Sequence, residues 1–210
     1  MSNQKSEHVL FVPGDRDDLV VLNRYGPPQE SLEFYAQAFY RAARQIADGY
    51  DGTVVRGVAM CPAIYLYRHA FELYLKAILL AGERLRMLRG RPSLHLETCI
   101  NGHRLPDLAE KFIEVANDMG WADDIGVDGL RTRADFLVLV NEWDTFDQQS
   151  FSFRYPMNKK GDAALPEGFA FGLRLFRERM EALLDMLDGS VTAVEQACDS
   201  HEEARSYDDQ

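Results

Sequence analysis

The sequence predicts an all-α protein: an up-and-down bundle of about five helices with a short N-terminal extension. Two observations lead there. Apolar residues recur at helical spacing in five separate stretches. Proline and glycine fall at the ends of these stretches, where they start or stop helices. The composition, 46% hydrophobic and 27% charged over 210 residues, is that of one globular domain able to bury its own core.

Residues 1–28 read as the extension. HVLFV and LVVL are short β-prone runs split by the turn signal Pro13-Gly14-Asp15, and Pro27-Pro28 closes the region. The helical domain is expected over residues 29–189. Ser31 can cap a first helix that runs to about Asp48, with Leu32, Tyr35, Ala36, Phe39, Ala43 and Ile46 at helical spacing. Gly49 stops it. A second helix runs from Pro62 to Leu88, and Gly90 and Pro92 open the loop that follows. Pro106 starts a third, with Leu108, Phe112, Val115 and Met119 on one face and Gly120 at its end. A fourth is expected over Asp128 to Phe146, along Leu130, Leu137, Val140 and Trp143. Ser150 to Leu165 reads as a loop. A fifth helix should start near Pro166, bury Phe169, Leu173, Phe176, Met180, Leu183 and Leu187, and end at Gly189. Residues 190–210 are acidic and read as a frayed helix and solvated tail.

The second helix carries the strongest signal. PAIYLYRHAFELYLKAILL is apolar on nearly every side, as in a central core helix. Its ionisable residues share one stripe: with Arg68 at 0°, Glu72 falls near 40°, Lys76 near 80° and His69 near 100°, at about 100° per residue. Such a stripe has to face water, an interface or a site. Three roles fit it. The i,i+4 pairs Arg68–Glu72 and Glu72–Lys76 can simply support a helix, or the four residues can wall a cleft or form a charged strip at a dimer interface, with His69 able to titrate near neutrality.

Three further segments bear on chemistry. RLRMLRGRPSLH holds Arg84, Arg86, Arg89 and Arg91, a local positive cluster in a chain of net charge −11. Arginine forks match phosphate; positive charge also suits a helix C-terminus. In GHRLPDL, His103 and Asp107 flank the start of the third helix, where they can brace the loop or exchange protons. FSFRYP should be extended because it ends at proline. Its Arg154, with Tyr155, Lys159 and Lys160, could hold phosphates and stack bases, or Phe151, Phe153 and Tyr155 can pack across the end of the bundle. An arginine among aromatics also calls for an anionic partner, and Glu72 is a candidate.

RHAFELYLKAIL, GHRLPDL and FRYP together resemble the HEPN superfamily of small helical-bundle domains over about residues 30–190. That superfamily occurs in prokaryotic toxin–antitoxin and phage-defence systems and beside nucleotidyltransferases. The resemblance implies a metal-independent endoribonuclease, or a non-catalytic module that binds RNA, a nucleotide or a partner protein. It also implies a homodimer, with any antitoxin or nucleotidyltransferase encoded separately. The family's ribonuclease motif is an Arg followed after four to six residues by a His, and Arg89 with His95 satisfies that spacing. Arg89, His95, His103 and Arg154 are then the candidate catalytic set. The candidate binding set is Arg68, His69, Glu72, Lys76, Arg84, Arg86, Arg91, Tyr155, Lys159 and Lys160. The family's tyrosine-modification signature, a Tyr two residues after that His, is absent, because position 97 is Glu.

Other classes find no signal. Cys61, Cys99 and Cys198 are widely spaced and have no zinc-ligand pattern, so free thiols and no metal are expected. There is no P-loop, GxGxxG, GxSxG, HExxH or nucleotidyltransferase GS…DxD motif, and no cofactor is expected. The N-terminus lacks a signal-peptide run, and the apolar stretch Ile78–Ala81 is too short to span a bilayer. A cytoplasmic protein without membrane attachment is the expectation. The net charge argues against a surface that coats nucleic acid broadly.

Overall fold

The computed structural model describes residues 31–50, 57–121, 124–127 and 130–208. The expected extension over 1–28 lies outside them. Among the described residues five α-helices form the fold: α1 (Leu32–Asp48), α2 (Cys61–Leu88), α3 (Leu105–Asp118), α4 (Arg133–Asp147) and α5 (Leu173–Asp208). A short antiparallel hairpin, β1 (Asp124–Val127) and β2 (Leu130–Thr132), joins α3 to α4. The all-α bundle expected from the periodicity is the observed architecture.

Helix α2 is the central strut. It packs against α1 on one side, α5 on another and α3 on a third, while α3 in turn packs on α4. Its all-round apolar surface follows from being surrounded: Tyr67, Phe71, Tyr74, Leu75, Ile78 and Leu79 are all buried. Helices α2 and α3 are in tight contact at Gly82. At Gly82 a Cβ would lie 2.5 Å from Cγ2 of Val115, so no larger residue fits there without movement. Helix α5 is held to α1 and α2 by side chains of mixed character. The hydroxyls of Tyr40, Tyr67 and Tyr74 donate to the carboxylates of Asp185, Glu181 and Asp188. Burial, reinforced by these carboxylates, pushes all three phenols well above their ordinary range.

Two helix boundaries differ from the expectation. Helix α4 starts at Arg133 instead of Asp128, because Thr132 and Asp135 form a reciprocal capping box. Residues 130–132 pair in the hairpin, so Leu130 belongs to a strand and not to the helix seam. The buried seam is Phe136, Leu139, Val140 and Trp143. Helix α5 starts at Leu173 rather than near Pro166 and does not stop at Gly189. Glycine in a helix interior costs about 1 kcal/mol relative to alanine. Here Val191, Val194 and Cys198 continue the buried face beyond it, and their burial outweighs that cost. The segment expected to fray is therefore helical to Asp208. By contrast α3 ends as expected, with Gly120 in the left-handed region at φ 69°.

Candidate functional site

The polar stripe on α2 is buried. Arg68 and Glu72 are each 1% exposed and Lys76 is 8% exposed. Glu72 sits at the centre. One of its oxygens accepts from Arg68 Nη1 at 2.9 Å. The other accepts from Lys76 Nζ at 2.8 Å and lies 2.9 Å from His103 Nδ1. The remaining donors of Arg68 leave the helix. Nη2 donates to the His103 carbonyl at 2.6 Å, and Nε donates to the Asp147 carbonyl at 3.2 Å. Asp147 Oδ2 also lies 3.2 Å from that Nε. Two cations thus meet two buried carboxylates, which is the condition under which charges tolerate burial. Burial alone would raise the Glu72 carboxyl. The hydrogen bonds and charges of Lys76, with His103 and Arg68, outweigh it and hold Glu72 below the usual carboxylate range.

Asp147 closes α4 and organises the next loop. Its Oδ1 accepts from the backbone N–H groups of Phe151 and Ser152. Arg154 N and Tyr155 N then both donate to the Phe151 carbonyl. The FSFRYP segment therefore begins as a turn, not as the expected extended strand, because a buried carboxylate gathers its first amides. The turn buries Phe153 against Trp143 and leaves Arg154 exposed. Arg154 does not pair with Glu72. Its guanidinium lies over the ring of Tyr65 at 5.2 Å and that of Tyr155 at 5.7 Å, and no carboxylate among the described residues reaches it. Tyr155 in turn stacks on Phe151 at 4.5 Å.

Tyr65 stacks on His69 with an interplanar angle of 9°, and His69 meets Phe39 edge-on at 4.6 Å. Burial lowers the His69 pKa. The Glu72 charge opposes that shift, and Arg68, Lys76 and His103 add to it. His69 is therefore neutral at pH 7. His103 is different: its side chain is 53% exposed while its Nδ1 is tethered to Glu72. In a neutral imidazole, a proton on the Nδ1 that faces the carboxylate leaves Nε2 free to accept. Tyr65 and Glu72 are seven residues apart on one face of α2. Arg154 and His103 thus flank a strip about 10 Å long by the helical rise.

The structure brings together Arg68, His69, Glu72, Lys76 and His103, with Arg154 and Tyr155 at one end. It does not bring the arginine cluster to this face. Arg84 pairs with Glu202 and Asp199, Arg86 with Asp118 and Glu114, and Arg91 with Asp118. Arg89 donates to His201 Nε2 and to the Asp118 carbonyl. His95 is exposed, in the left-handed region at φ 55°, and no contact joins it to Arg89. Asp107 pairs with Arg104. Lys159 and Lys160 are exposed at a turn held by Asn158. Two residues central to this face, Tyr65 and Asp147, were not among those singled out from sequence. Tyr65 has the helical phase of Glu72 and could have been found; Asp147 has no local signal.

Among the described residues no group of three metal-ligating side chains converges, and no helix is long and apolar enough to cross a membrane. The three cysteines are unpaired, and burial raises each thiol. Comparison of the chain with family models, with curated proteins and with solved structures finds no match.

Proposed function

We propose that the protein is a HEPN-like, metal-independent endoribonuclease whose proton-transfer group is His103 rather than His95. The observation that carries this reading is the contact between Glu72 and His103. A buried carboxylate fixes one ring nitrogen, and a half-exposed imidazole presents the other. His103 Nε2 would take the proton from a ribose 2′-hydroxyl. The 2′-oxygen then bonds to phosphorus, the bond to the 5′-oxygen breaks, and that oxygen is protonated by solvent. The products are a 2′,3′-cyclic phosphate and a 5′-hydroxyl. Arg154, about 10 Å along the same helix face, would hold a neighbouring phosphate while Tyr155 stacks a base. The biological setting that goes with the resemblance is a toxin–antitoxin or phage-defence system, with a homodimer and a separately encoded antitoxin or nucleotidyltransferase.

The test is incubation of purified protein with total RNA, with and without EDTA. Cleavage should survive chelation, be lost in His103→Ala and persist in His95→Ala. Loss on chelation, or retention in His103→Ala, would refute the mechanism.

The second reading is a non-catalytic HEPN-like module that binds RNA, a nucleotide or a partner protein. Its support is that the arginines of residues 84–91 are already engaged, largely by the chain's own carboxylates. Absence of cleavage by folded protein, with RNA binding that weakens as salt rises and on loss of Arg154, would favour it.

A further inference from the structure

One oxygen of Glu72 serves two groups. Oε1 accepts from Lys76 Nζ at 2.8 Å and lies 2.9 Å from His103 Nδ1. Oε2 is left to Arg68. The Lys76 ammonium is thus a single oxygen away from the imidazole. Its side chain is nearly buried, whereas that of His103 is half-exposed. A histidine tied to a buried carboxylate meets a difficulty as a base. An anion beside the ring favours the charged imidazolium. In that form both nitrogens are donors, and Nε2 has no lone pair with which to take a proton.

The charges packed against the ring offset that pull. On α2, Arg68 and Lys76 stand against Glu72, and Asp147 at the end of α4 supplies a second carboxylate. The cations and anions of this cluster balance, so an imidazolium at His103 would be a surplus cation. Without Lys76 the cluster is one charge negative and would hold the imidazolium. Burial works to raise the Glu72 carboxyl, and the Lys76 hydrogen bond is the strongest influence in the other direction, ahead of His103. Of the other groups nearby, Arg104 is met by Asp107 and Asp144, and Lys111 by Glu114. The His69 ring is neutral, and burial keeps the Cys99 thiol protonated. None of these touches Oε1.

We propose that Lys76 is a positioning residue for His103: by sharing Oε1 of Glu72 with Nδ1, its ammonium weakens the carboxylate's pull on a second ring proton and keeps Nε2 open as an acceptor. Lys76 acts through Glu72 and touches no substrate. The proposal rests on the ribonuclease reading for the use of that acceptor, while the charge relation itself needs no RNA.

The experiment follows the ring nitrogens of His103 against pH in ¹⁵N-resolved spectra of the full chain, wild type beside Lys76→Met. The titration midpoint should rise by about 0.5–1 pH unit in the variant, a displacement limited by the exposure of the ring. Lys76→Gln, which keeps a donor for Oε1 without the charge, should move it in the same direction. Lys76→Arg, which restores the charge, should bring it back to the wild-type position. If Lys76→Met fails to fold, Lys76→Gln and Lys76→Arg carry the same comparison. A midpoint unchanged or lowered in the uncharged variants would overturn the proposal, as would an equal rise in Lys76→Arg. The acid limb of the pH–rate profile for RNA cleavage should move up with the midpoint, and a limb that stays in place would also overturn it. If no form cleaves RNA, the ribonuclease reading fails, and the ring titration still decides the relation between Lys76 and His103.

Discussion

Glu72 reaches from the middle of α2 to His103 in the loop just before α3, 31 residues later, and holds Nδ1 of a half-exposed imidazole at 2.9 Å. The same carboxylate neutralises Arg68 and Lys76 in the interior. One buried acid thus anchors a core helix and orients a surface histidine. Its replacement should affect both, and by different amounts.

Glu72→Gln removes the charge that compensates Arg68 and Lys76 in a buried setting. A loss of about 3–5 kcal/mol is expected, measurable as a lower urea midpoint with an unchanged slope. A loss below about 1 kcal/mol would mean that the cations reach solvent.

Arg154→Ala should behave oppositely to Arg68→Ala. Arg154 is exposed, and among the described residues its guanidinium meets only ring faces, so its loss should cost less than about 1 kcal/mol. Arg68→Ala removes the cation shared by one oxygen of Glu72 and Oδ2 of Asp147 and should cost about 3 kcal/mol or more. Thermal melts of the two variants side by side decide the point; equal losses would contradict the arrangement.

Stability should fall as pH drops below about 6.5, the unperturbed histidine value. The His69 pKa is lowered in the folded state, so between its unfolded and folded values the unfolded chain binds more protons. Glu72, also lowered, adds a second loss only at more acid pH, below the ordinary carboxylate value. His69→Phe should flatten the first part of the profile and leave the second. Chemical denaturation between pH 4 and pH 8 would record both.

Gly82→Ala should destabilise by about 1–3 kcal/mol, because the new methyl collides with Val115. Val115→Ala in the same chain should recover part of that loss. A double-mutant cycle with no coupling would show that α2 and α3 are not in contact there.

Val194→Ala, beyond Gly189, should cost about 1–3 kcal/mol if the end of α5 is packed. A frayed tail would show no change in melting temperature.

The sequence by itself determined the five helices, the central place of α2 and the phase of its polar stripe. These follow from periodicity and from proline and glycine, which act within a few residues. It also showed that Arg68, Glu72 and Lys76 can pair, because i,i+4 contacts are built into a helix. Only the tertiary structure decided that this stripe is buried, since the groups that complete it, Asp147 and the His103 carbonyl, lie 79 and 35 residues from Arg68. The same holds for Arg154, which has aromatic rings for neighbours where an anion was expected. It holds for Arg84 and Arg89 too, whose partners Glu202 and His201 lie 118 and 112 residues away on α5. Local spacing limits which side chains share a face. What covers that face depends on how distant helices pack, and burial then sets whether a charge is a free ligand group or part of the core.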